Sequence, residues 1–208
     1  MDNFTYEREN RTSGLEMYEW DNLWWEQAPN VIKPRVLYIG DSISCGIRRI
    51  ATNLSGEQIL FDGFGTSKAV DNAYFADTLR LFGKQQRTRK IVLFNNGLHG
   101  FHLSDGEEYR DYYEKMVKFL MEEYRDIPIA LVLTTSVADS DNERVIARNE
   151  SVKAIAEKYN LPVIDLYSVS VQYEKLHSAD GVHYTEEGYE KLAQNLVESV
   201  YEIIGNTV

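Results

Sequence analysis

Ser42, Asp180 and His183 are the residues whose types and settings could carry acyl-transfer chemistry. Ser42 closes the run Arg35-Val36-Leu37-Tyr38-Ile39-Gly40-Asp41-Ser42, in which four apolar, β-prone residues give way at Gly40 to a turn bearing two polar side chains. A serine delivered at the carboxyl end of a buried strand serves as a nucleophile when a histidine and a carboxylate come back to meet it. Near the other end of the chain, Ser178-Ala179-Asp180-Gly181-Val182-His183-Tyr184 offers both, with Asp180 three residues before His183. That spacing lets the carboxylate accept a bond from one imidazole nitrogen while the other nitrogen faces a hydroxyl. Asp165 lacks this spacing to a histidine, and His102 and His177 are weaker candidates that read as loop histidines.

The elements that must position these residues alternate. Short apolar runs over residues 36–39, 58–61, 91–94, 127–133 and 161–166 read as strands. Between them lie helical stripes over 43–54, 69–82, about 109–125, 145–159 and 167–176, and a last helix follows Thr185. Five such alternations predict a three-layer α/β/α sandwich with a five-stranded parallel sheet in the flavodoxin-like order 2-1-3-4-5. In that order the turns after the first three strands converge at the switch point. Residues 1–34 stand outside the alternation and read as an aromatic arm packed on a domain spanning 35–208. The arm carries Met17, Tyr18, Trp20, Leu23, Trp24 and Trp25, which suit either a cover over an exposed flank or a wall of a ligand site.

Composition narrows the partners. The formal net charge of -11, without a basic run, argues against a nucleic-acid backbone or an anionic membrane. One cysteine, Cys45, excludes an internal disulfide, and the polar first residues carry no secretory signal, so a cytoplasmic location is expected. No apolar stretch approaches the ~20 residues that span a bilayer. The acids Asp139, Asp141 and Glu143 lack matching histidine or cysteine ligands, so no metal is expected, and no other cofactor is implied where a serine, a histidine and a carboxylate supply nucleophile and base by themselves. A homo-oligomer is compatible with the sequence.

Gly40-Asp41-Ser42 after the first strand, with Asp180-Gly181-Val182-His183 before the last helix, resembles the SGNH (GDSL-type) hydrolases over roughly residues 33–204. The resemblance implies a serine esterase with Ser42 as nucleophile, His183 as base and Asp180 as the orienting acid. It implies an oxyanion hole from the N–H groups of Ser42 and Gly65, in the glycine-rich stretch after the second strand. The third block of the family reads Gly-x-Asn-Asp, whereas this chain has Asn95-Asn96-Gly97-Leu98-His99-Gly100, with histidine where the donor asparagine is expected. An imidazole N–H donates as an amide does, so His99 takes that role in a GLH-bearing subgroup, with Asn95 and Asn96 as alternative donors. Asp41, Asn96 and Thr135 are the further residues placed to bind substrate. The neighbours of that subgroup imply acetyl esters of a sugar or oligosaccharide as substrate. The rival readings are a lysophospholipase or acyl thioesterase, and a sugar-binding protein without turnover.

Overall fold

The computed structural model describes residues 14–86, 88–138 and 141–205. The first thirteen residues of the arm, and Asp139 among the acids after the fourth predicted strand, lie outside them. In chain order the strands are β1 (Asp21–Trp24), β2 (Arg35–Gly40), β3 (Leu60–Thr66), β4 (Arg89–Phe94), β5 (Ile129–Val132) and β6 (Val163–Ile164). The helices are α1 (Ser42–Leu54), α2 (Phe75–Gly83), α3 (Glu107–Glu123), α4 (Asn142–Tyr159), α5 (Leu166–Gln172) and α6 (Glu186–Ile204). The sheet order is β1-β3-β2-β4-β5-β6.

From β2 to β6 every pairing is parallel, and the order is the expected one. The sheet differs from the expectation at one edge. It has six strands rather than five, because β1 from the arm adds antiparallel to β3. All four β1 residues are exposed, so the strand has no apolar face to betray it in the sequence. Its place is fixed by polar contacts instead. Asp21 accepts from Thr66 Oγ1 and from Lys68 Nζ, both at 2.7 Å. Behind it the buried Arg35 guanidinium pairs with Asp62 at 2.7 Å and donates to the carbonyls of Glu26, Gln27 and Asn30.

Alternation along each strand feeds two cores. Val36, Tyr38, Phe61 and Leu93 face α1 and α6, while Leu37, Ile39, Phe64 and Phe94 face α2, α3 and the later part of α4. Burying an aliphatic or aromatic side chain of this size contributes about 1.5–3 kcal/mol. Trp25 joins the second core through Phe82, ring centroids 4.6 Å apart, whereas Trp24 lies exposed beneath Arg48 and Arg49.

Two of the boundaries that moved bear on the site. The stripe read as a helix from residue 69 becomes helical only at Phe75. The glycine-rich stretch Asp62-Gly63-Phe64-Gly65, expected as a turn, is strand throughout, because β1 supplies it with a second pairing partner. Its glycines leave room for α1. A Cβ at Gly63 would lie 2.5 Å from the Arg48 guanidinium, and one at Gly65 only 2.2 Å from Cys45 Sγ. Gly65→Ala therefore lowers the urea unfolding free energy by about 1–3 kcal/mol, and Cys45→Gly in the same chain recovers part of the loss. A Gly65→Ala protein as stable as the parent shows that α1 does not depend on that space.

Candidate functional site

Ser42 is the first residue of α1. The change from strand to helix is built into the turn. Asp41 adopts extended backbone and its carboxylate accepts from Ile43 N–H at 3.0 Å, capping the helix. The cap stands at the carboxyl end of β2, so Ser42 meets the loops from the neighbouring strands at the positive end of a helix dipole.

The Asp180–His183 segment is shaped before it reaches Ser42. Residues 177 and 184 form an isolated antiparallel bridge, and Ser178 N–H donates to the His183 carbonyl at 2.7 Å, closing a short loop. Gly181 turns it with φ +72°, and its carbonyl accepts from Ala138 N–H at 2.8 Å. Asp180 Oδ1 accepts from Ser178 Oγ at 2.7 Å, His183 N–H at 2.9 Å and Val182 N–H at 3.0 Å. The second oxygen, Oδ2, lies 2.8 Å from His183 Nδ1, and His183 Nε2 lies 2.9 Å from Ser42 Oγ. With the carboxylate fixing the proton on Nδ1, Nε2 offers a lone pair to the serine hydroxyl. Partial burial pushes the Asp180 carboxyl up, but the bonds from Val182, His183 and Ser178 outweigh it and hold it well below the usual carboxylate range.

The other expected residues are distributed differently. His99 is buried at the carboxyl end of β4, on the loop Asn95–Gly100. Arg148 of α4, fully buried, holds that loop: it donates to the carbonyls of Gly97, His99 and Gly100, pairs with Asp105 at 2.8 Å and lies over the Tyr109 ring. Gly65 lies inside β3, opposite Gly40 on one side and Asn22 on the other. Leu60 N–H donates to the Pro34 carbonyl and Ser67 N–H to that of Trp20, so the strand's alternation turns the Gly65 N–H toward β1 and not toward Ser42. This corrects its expected part as an oxyanion donor.

Asp41, Asn96 and Thr135 are 1, 1 and 3% exposed and sit in the walls. Asp41 caps α1, and Asn96 Nδ2 donates to the Lys68 carbonyl, joining the loops after β3 and β4. Asn95 is turned inward, donating to Val132 and Thr134. Asp165 caps α5, His177 spans the carbonyls of Glu174 and Ser136, and His102 pairs with Asp71, so none of the three reaches Ser42.

Two contributors escaped the sequence reading. Arg148 falls in register with Val145, Val152 and Ile155 on the buried stripe of α4, and a charge in an apolar stripe was a readable signal. Glu16 had none. It comes from the arm to lie 3.7 Å from His99 Nδ1, and Trp20 sets its ring edge-on to the same imidazole, centroids 6.1 Å apart.

A carboxyl held below its unfolded value stabilises the fold above the unfolded pKa, and that contribution fades as pH falls through the folded pKa. Asp180→Asn is therefore less stable than the parent near neutral pH, and the gap begins to narrow below about pH 4, where an unfolded aspartate takes up its proton. Urea titrations across that range measure it, and a gap constant with pH refutes the assignment.

Residues 103–196, which include Asp180 and His183, match the family model described as GDSL-like Lipase/Acylhydrolase. No curated protein matches the chain. A G-D-S-L family lipolytic protein from Veillonella parvula superposes with a TM-score of 0.62 at 21% identity, over 79% of this chain and 96% of that one. A carbohydrate acetylesterase from Sinorhizobium meliloti gives 0.66 at 14% identity, over 82% of this chain and 100% of that one. An acetyl xylan esterase gives 0.61 at 15% identity, over 80% and 99%. At such identities the likeness is one of fold. In that stretch and in its fold the chain is similar to the GDSL-like lipase/acylhydrolases.

Proposed function

We propose that the protein is a serine esterase that removes acetyl groups from carbohydrates. The observation that carries this reading is the hydrogen-bonded chain from Asp180 through His183 to Ser42, at 2.8 and 2.9 Å. In the proposed reaction the Ser42 oxygen attacks the ester carbonyl as His183 Nε2 takes its proton. Asp180 holds the imidazole and balances the imidazolium that forms. The tetrahedral oxyanion is met by the Ser42 N–H at the start of α1 and by the His99 imidazole. His183 then returns its proton to the departing sugar oxygen, and water repeats the sequence on the acyl-enzyme.

A general base contributes about 10²–10⁴ in rate and a single oxyanion donor about 10²–10³. The acetyl-sugar specificity is supported by the names of two structural neighbours, an acetyl xylan esterase and a carbohydrate acetylesterase. It is also supported by Trp20, whose ring stands beside His99 where a sugar face could stack.

The test is acetate release from acetylated oligosaccharides, with a long-chain acyl ester as comparison. The parent releases acetate, Ser42→Ala and His183→Ala do not, and His99→Ala lowers kcat by about 10²-fold with little change in KM. Cleavage of the long-chain ester alone transfers the reading to a lipid or thioester substrate. Inertness toward every ester, with no labelling of Ser42 by a fluorophosphonate, refutes it in favour of a binding protein.

A further inference from the structure

Glu16 is an acid from the arm set against the loop that carries His99. Its side chain is 6% exposed, Oε1 accepts from Gly100 N–H at 2.8 Å, and the same oxygen lies 3.7 Å from His99 Nδ1. Burial pushes the carboxyl up, but the facing His99 imidazole and the bond from Gly100 N–H prevail and hold it below its ordinary value. An ionised carboxylate in that position needs a positive neighbour. Among the described residues, two other cations near the loop already have partners. Arg148 serves Asp105 and three carbonyls, and His102 faces Asp71 at 2.8 Å.

We propose that Glu16 is a positioning residue for His99: from the arm it holds a proton on Nδ1 and fixes the ring so that Nε2 is presented to the oxyanion of the esterase reaction. The inference rests on the esterase reading above. Its chemistry follows from the imidazole. With Nδ1 donating to a carboxylate, Nε2 donates as well only when the ring carries both protons, and a buried carboxylate alongside favours that cationic form. An amide in the same place would donate with no such help. An imidazole requires an acceptor behind it, and in return gives a charged donor, roughly twice as strong as a neutral one. The arm is then part of the reaction site as well as an edge of the sheet.

The experiment is a double-mutant cycle on kcat and KM for an aryl acetate, with the parent chain, Glu16→Gln, His99→Ala and the pair, and Ser42→Ala as control. Glu16→Gln keeps an oxygen for Gly100 N–H and removes the charge, so the melting temperature stays within about 2 °C of the parent. Its kcat falls on the order of tenfold with KM unchanged, and the substitution adds nothing to His99→Ala. Nitrogen-15 spectra of the imidazoles show two protons on His99 in the parent and fewer in Glu16→Gln. Full kcat in Glu16→Gln, or a loss that adds undiminished to that of His99→Ala, overturns the inference while leaving the esterase reading intact. A parent chain inert toward the aryl acetate overturns the esterase reading. In that event the imidazole spectra still decide whether Glu16 holds the proton on His99.

Discussion

Helix α1 lies closer to the sheet than side chains on the strands beneath it would permit, and the rest of the molecule is arranged around that closeness. At Gly40, Gly63 and Gly65 an added Cβ would fall between 2.2 and 2.8 Å from Ser44, Arg48 or Cys45. Without those atoms the helix settles on β2 and β3 with Ser42 at its first turn, directly over the end of β2. The arrangement has a cost: three glycines within or at the end of strands, each about 0.5–1 kcal/mol less favourable than alanine for backbone entropy alone. What offsets it is a second interaction for the same segment. Arg48, lying over Gly63, reaches across to Asn22 of β1, so the space the glycines leave open also draws the edge strand onto the sheet.

The parallel core was legible because its signals are local and redundant. Val36–Ile39, Ile91–Phe94 and Ile129–Val132 are apolar runs buried on both faces, and turn residues close each one. The Ser42, Asp180 and His183 geometry was legible for a related reason: Gly40-Asp41-Ser42 marks the end of a strand, and the spacing of Asp180 to His183 is local to one short segment. What stayed hidden is held by polar contacts between distant segments. β1 has no buried side chain, and its pairing depends on Asp21, Lys68, Thr66 and Arg48, whose mutual distances no periodicity encodes. Gly65 looked like a turn glycine because a glycine omitted for packing and one required for conformation are the same letter.

The loop Asn95–Gly100 illustrates how a buried charge can order a loop from the element beside it. Arg148 places its donors on three carbonyls of one loop and on Asp105, a geometry a lysine ammonium could not reproduce. A loop with its carbonyls taken up this way cannot rotate its peptide planes freely, so His99 inherits its rigidity from α4. Thr134 narrows the choice further. A Cβ at Gly97 would lie 1.9 Å from its hydroxyl, so the chain must pass that point as glycine.

Ser42 and His183 are 141 residues apart in sequence, and Glu16 and Gly100 are 84 apart. Separation of that kind is thermodynamically cheap, since each doubling of a closed loop adds only about 0.6 kcal/mol. The demanding requirement is orientation, and the chain meets most of it locally. The bridge between His177 and Tyr184, and the three donors on Asp180 Oδ1, set the relation of Asp180 to His183 within a single short segment. Docking that segment then needs few long-range contacts: Ala138 N–H to the Gly181 carbonyl and the Tyr184 hydroxyl to the Ser136 carbonyl. Both of these partners lie just after β5, at the same end of the sheet as Ser42. The hydroxyl and the imidazole are thus brought to 2.9 Å by the sheet edge they share, and their own hydrogen bond need contribute little to holding the fold together.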